Sequence, residues 1–165
     1  MRAITKAEME SATKEWIELA LLSFPSQSRH FLQVEKDQFR NPIGNTLQEN
    51  IPVLLEELVG GKDQARLSAA LEDIVRIHAV QGTPPSEALA FLFQAPRVLR
   101  HVWKGSAEGQ DEALQWTQQA VLLAFDLYME CREKIYAVQV EETRRRVAQL
   151  ERVYQESYIG PGDTL

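Results

Sequence analysis

The chain has 165 residues, 44% of them hydrophobic and 25% charged, with a formal net charge of −6. That is enough for one domain with a real core, and the acidic balance argues against a general surface for nucleic acid or anionic membrane. Cys131 stands alone, which excludes an internal disulfide framework and a cysteine-rich zinc site. The N-terminus, MRAITKAEME, lacks the apolar core of a signal peptide, and no apolar run approaches the roughly 18 residues that span a bilayer. The expectation from these features is a cytoplasmic protein with no membrane insertion.

In chain order, Thr5 and Glu8 have the spacing of a capping box. The helix it opens is expected to run to about Phe24, burying Trp16, Ile17, Ala20, Leu21 and Phe24, and to end at Pro25-Ser26-Gln27-Ser28. A short helical piece is expected over Arg29 to Glu35. Lys36 to Thr46 reads as a loop rich in turn residues, with Phe39 expected to anchor it to the core. The next helix has two candidate starts. One is Thr46 with Glu49 as a second capping box, which places Pro52 inside the helix. The other is Asn50 as N-cap with Pro52 in the first turn, which costs less. Val53, Leu54, Leu55, Leu58 and Val59 are core candidates, and Gly60-Gly61 is the stop signal.

Asp63 opens a further helix with Leu67, Ala70, Leu71, Ile74, Val75, Ile77 and His78 on its inner face, closed by Gln81-Gly82. Thr83-Pro84-Pro85-Ser86-Glu87 carries an N-cap candidate, prolines suited to the first helical positions and an early acid. Ala88, Leu89, Phe91, Leu92 and Phe93 follow, apolar nearly all round, so this helix is expected to be central. Pro96 should break it after Gln94. The chain resumes through Val98, Leu99, Val102 and Trp103, and Gly105 to Gly109 is expected to be a loop.

From about 110 to 158 the chain has no proline, and no glycine after Gly109, which predicts one long helix. Its first half repeats Leu114, Val121, Tyr128 and Ile135 at seven-residue spacing, with Thr117, Ala124, Cys131 and Val138 in second positions and Phe125 beside them. Its second half shows a different register: Tyr136, Val140, Thr143, Val147, Leu150 and Tyr154. The apolar face is therefore expected to cross the helix between Met129 and Val140, the first half packing into the body and the second meeting a second copy or a partner protein. Glu141 with Arg145, and Glu142 with Arg146, have i,i+4 spacing.

Catalytic signatures are missing. The chain has no G-x-x-x-x-G-K-S/T, G-x-G-x-x-G, G-x-S-x-G or H-E-x-x-H pattern, and the expectation is that it is not an enzyme. His30, His78 and His101 lack metal-ligand spacing, so no metal and no cofactor are expected. Cys131 reads as a small buried hydrophobe. Asp126, flanked by apolar residues, is expected to form an ion pair with Arg76 or Arg132. Arg144-Arg145-Arg146 is balanced by Glu141, Glu142 and Glu151, against nucleic-acid binding. The alternative reading is a small-ligand or haem pocket near His78, Phe91 and Phe125.

Three segments together carry a resemblance. They are Lys36-Asp37-Gln38-Phe39-Arg40-Asn41-Pro42-Ile43-Gly44; Ile74-Val75-Arg76-Ile77-His78-Ala79-Val80-Gln81 with Pro84-Pro85-Ser86-Glu87-Ala88; and Phe125-Asp126-Leu127-Tyr128 with Cys131-Arg132-Glu133-Lys134-Ile135. Together they resemble the N-terminal sensory domain of the RsbT co-antagonist family of the RsbR-D type. The resemblance implies an all-α, globin-like domain over residues 1–165, without haem and usually dimeric. In the family this domain precedes a phosphorylatable STAS domain within the stressosome, and its last helix hands a signal to that output domain. The implied partners are a second copy and a STAS or kinase-type regulator. The chain ends at Gly160-Pro161-Gly162-Asp163-Thr164-Leu165, so the expectation is a stand-alone module with no phosphorylation site to carry over. Similar stand-alone modules accompany sulfur-respiration genes, which makes an accessory role in a bacterial sulfur-respiration complex a second alternative. His78 stands where the resemblance implies an arginine, and Pro96 breaks a helix expected to be continuous.

Overall fold

The computed structural model describes residues 4–102 and 107–158, and all regular structure among them is helical. Helix α1 (Lys6–Ala20) begins at the Thr5 capping box: the Glu8 amide donates to the Thr5 hydroxyl, and the Glu8 carboxylate accepts from the Thr5 amide. A 3-10 turn over Leu21–Ser23 ends it. Ala12, Trp16, Ala20, Leu21 and Phe24 are buried, while Ile17 is half-buried. Helix α2 (Ser26–Val34) starts three residues before Arg29, because Pro25 needs no amide of its own at the cap position.

The loop before α3 (Pro42–Glu56) differs from expectation. Phe39 does not reach the core; it is 89% exposed. Asn41 holds the loop instead and is itself buried. Its Nδ2 donates to the Leu32 carbonyl at 2.9 Å and the Glu35 carbonyl at 2.8 Å, and its Oδ1 accepts from the Gly44 amide at 2.9 Å. Asp37 accepts the Phe39 amide, so the loop turns on polar contacts and leaves Phe39 outside. The approach is close enough to require glycine at 44: a Cβ there would lie 2.2 Å from the Leu32 carbonyl oxygen.

Asn41 is also the N-cap of α3, with Pro42 in the first turn, so neither Thr46 nor Asn50 starts this helix. Pro42 supplies the fixed φ that a first turn favours, and Pro52 is carried inside the helix. Pro52 withholds the amide that would meet the Gln48 carbonyl, but Gln48 is exposed and water can serve in its place. The helix then leaves through a π-helical turn (Glu57–Gly61) to Lys62, whose φ is 56°. Glu57 is fully buried; it pairs with Arg66 at 2.6 Å and accepts the Asp63 amide at 2.8 Å. A Cβ at Gly61 would stand 2.1 Å from the Glu57 carboxylate, so glycine here makes room for the ion pair as well as ending the helix.

Helix α4 (Gln64–Gln81) is capped by Asp63, whose carboxylate accepts from Ala65 and Arg66, and closes on Gly82 at φ 71°. Leu67, Ala70, Leu71, Ile74, Val75 and His78 are buried as expected, and Ile77 is half-buried. The apolar stretch after Pro84 is not one central helix. It is a single turn, α5 (Pro85–Ala88), then a 3-10 turn over Leu92–Gln94, then α6 (Ala95–Val102). Pro84 takes the cap position in place of Thr83, and Pro96 falls in the first turn of α6, where a missing amide is harmless. Phe93 is exposed while Ala88, Leu89, Phe91 and Leu92 are buried. Trp103 and Gly105 lie outside the described residues.

Helix α7 (Ala107–Tyr158) takes in Gly109, which was expected in the preceding loop, and its 52 residues extend about 78 Å. It packs most extensively on α4 and next on α6. Replacing Asn41 with alanine removes two donors and an acceptor from buried partners. It should lower stability by about 2–4 kcal/mol, read as a shift of the urea midpoint, while Phe39→Ser should move it little.

Candidate interaction surface

Two stripes run along α7, and they differ in side-chain size. The buried stripe is Gly109, Ala113, Thr117, Ala120, Ala124, Tyr128 and Cys131. Its members recur every three or four residues, and most are small. Small side chains let α7 lie against α4 and α6, where bulkier ones would hold it off. The Thr117 hydroxyl donates to the Ala113 carbonyl within the helix, so no polar hydrogen is stranded in this contact. The body ends with half-buried Ile135, and every residue from Tyr136 to Tyr158 is exposed. That free segment is about 34 Å long.

The exposed stripe carries the large residues. Leu114, Phe125, Tyr136, Val147 and Tyr158 are all exposed and stand eleven residues apart. Leu122, Met129, Val140, Leu150 and Tyr154 are exposed beside them. An eleven-residue repeat is 3.67 residues per turn, so the row drifts little along a straight helix and favours a slightly right-handed pairing. The structure therefore corrects the expected crossing of faces. The two stripes lie side by side from Leu114 onward, and the outer one continues past the end of the body. Leu114, Phe125 and Val138, assigned to the inner face by a seven-residue frame, are exposed. Tyr136, Val140, Thr143, Val147, Leu150 and Tyr154 are exposed together on the free segment. Arg145 Nε donates to Glu141 at 3.1 Å; such a pair on a solvated helix contributes only a few tenths of a kcal/mol.

Two side chains fix α7 where it leaves the body. The Tyr128 hydroxyl donates to the Thr83 carbonyl. Arg132 Nη1 donates to the Ala79 carbonyl at 2.9 Å, and its Nη2 donates to the Tyr136 hydroxyl at 3.2 Å. The guanidinium also lies over the Tyr136 ring, 4.9 Å from its centroid. Arg132 therefore serves a backbone carbonyl at the end of α4 rather than Asp126. Arg76 pairs with Asp73, and Asp126 faces solvent. Cys131 is buried, and burial followed by the nearby Glu72 pushes its thiol above the ordinary value, which keeps it protonated.

The proposed pocket residues are not brought together. His78 is buried with its ring stacked on Phe24 at 5.0 Å, and its Nδ1 has no hydrogen-bond partner. Phe91 is buried on Trp16, and its carbonyl accepts the Trp16 indole N–H at 2.8 Å. It borders a cavity of about 300 Å³ with Leu19, Leu22, Ser23, Glu87, Ala90 and Gln94, a set that includes neither His78 nor Phe125. Phe125 turns outward on α7 at 45% exposure. His30 is exposed, and the His101 side chain lies outside the described residues. A larger groove, about 630 Å³, opens between α1 and α3 over Met9, Ile17 and Pro52, with Lys14, Glu18 and Glu56 at its rim. Sequence reasoning did not find it, because its floor is assembled from residues some forty positions apart, with no pattern to signal it.

Fold and surface together define an all-helical body whose terminal helix runs on beyond it; among the described residues no helix is long and apolar enough to cross a membrane. Residues 10–143 match the family described as the RsbT co-antagonist protein rsbRD N-terminal domain, and the chain belongs to that family. The family is one of stressosome-type sensory and regulatory domains. No curated protein and no solved structure matches the chain.

Burial lowers the pKa of His78 from 6.5 to about 4. Between those values the unfolded chain binds the proton and the folded chain does not. Stability should therefore fall as pH drops from about 6.5 to 4 and level off below, by up to about 3 kcal/mol. Urea midpoints across that range check this, and His78→Leu should flatten the His78 part of the slope.

Proposed function

We propose that this chain is a non-enzymatic sensory or regulatory domain that acts as a homodimer and through a partner protein, both meeting it along the exposed stripe of α7. The observation that carries the reading is the row Tyr136, Val140, Val147, Leu150 and Tyr154, exposed on a helix segment that has no body beneath it. A lone helix of some twenty residues is marginal in water, because most helical stability comes from packing an apolar face. An exposed contiguous apolar patch marks an interaction surface in a folded protein. A second copy offers the same stripe at the same eleven-residue spacing, so pairing the two helices covers both. Membership of the RsbT co-antagonist family supports the regulatory part of the reading, and a STAS or kinase-type regulator in the cytoplasm is the partner class it favours.

Sedimentation velocity at tens of micromolar tests the dimer. The wild-type chain should sediment as a dimer. Val147→Glu with Leu150→Glu should give a monomer with unchanged helicity in the body. A wild-type monomer, or a dimer indifferent to both charges, overturns the reading.

A further inference from the structure

The joint between body and free helix has a construction that dimerisation alone does not require. Gly82, at φ 71°, makes the corner between α4 and α5, and α7 grips the backbone on both sides of it. Tyr128 holds the Thr83 carbonyl, and Arg132, four residues on, holds the Ala79 carbonyl. The Ala79 carbonyl already accepts the Gly82 amide at 3.2 Å, so Arg132 adds a charged donor at the negative end of the α4 dipole. The same guanidinium, through Nη2 and its planar face, holds Tyr136. Arg132 Nη1 is also the nearest atom to a Cβ built at Gly82, at 4.0 Å. Tyr136 is the first residue of the outer row beyond the body.

We infer that Arg132 is a positioning residue that ties the orientation of Tyr136, at the root of the interaction stripe, to the state of the Gly82 corner. The inference rests on the stripe being an interface. Its physical basis is the planar fork of arginine, which serves a carbonyl and a phenol at once; a lysine would hold a point charge there but not both partners in fixed geometry. A change at the α4–α5 corner thus reaches the interface through one side chain, without unfolding either helix. The corner acts as the body's input to the helix that meets its partner.

The test uses the full chain with 3-fluorotyrosine at its four tyrosines, the Tyr136 resonance being assigned by its loss in Tyr136→Phe. The body side is perturbed by Gly82→Ala, or by Tyr128→Phe should the glycine variant not fold. Either change should move the Tyr136 resonance when Arg132 is present, and leave it in place in the Arg132→Ala and Arg132→Lys backgrounds. Arg132→Ala should also weaken self-association, by up to about three- to fivefold, because the intrachain cation–π contact that pre-orients Tyr136 is lost. A Tyr136 resonance that ignores the corner, or follows it equally well without Arg132, overturns the inference. If the resonance responds as expected while the chain sediments as a monomer, the joint stands and the dimer reading falls.

Discussion

The extensive contact of α7 with α4 and α6 is the constraint on which the rest depends. Ala113, Thr117, Ala120 and Ala124 are buried on the body side of α7, and small side chains at a helix contact let the axes come near. Tyr128 is the large member of the buried stripe, and Leu123, Leu127 and Ile135 pack against the core at its margins, while Leu114, Leu122, Phe125 and Met129 stand outside. Mostly small residues make the seam, and the exposed stripe carries large ones. Ends of the body follow from the same seam. Its last buried residue is Cys131, and beyond half-buried Ile135 every described residue of α7 is exposed.

Polar contacts finish what the seam begins. Asn41 satisfies two carbonyls and one amide in a loop that has no apolar anchor. Glu57 and Arg66 fix the π-helical turn that swings the chain from α3 into α4. Glu57 is fully buried while Arg66 is exposed, so removing the arginine would leave a buried carboxylate without its cation, which costs more than the pair itself contributes. Each of these groups sits at a reversal of chain direction, where helical hydrogen bonding runs out and the backbone needs other partners.

Much of the fold is legible in the sequence, and the failures have physical causes. Helix signals that act locally are read well: the Thr5 box, the Asp63 cap, the Gly82 stop and the unbroken run of α7 all rest on neighbours within four residues. Tertiary packing defeats the reading elsewhere. A frame that weights large apolar residues places Leu114 and Phe125 inside, yet the contact selects for alanine. Phe39 is read as an anchor because hydrophobicity is visible in sequence, whereas the three hydrogen bonds of Asn41 are not. The stripe residues on the free half of α7 are legible because nothing in the body competes for them. Arg132 was legible only as a cation, since its real partner is a backbone carbonyl that any residue would supply.

The length of α7 beyond its last body contact has a mechanical consequence. An unbroken helix without proline or glycine behaves as a rod over such distances. Tyr158 lies some 34 Å beyond Tyr136 along that rod. A tilt of about five degrees where the rod leaves the body displaces its tip by about 3 Å on that length. Shifts too small to disturb the packing of the core are thereby enlarged, at the far end, to the size of a side chain's step from one contact to the next.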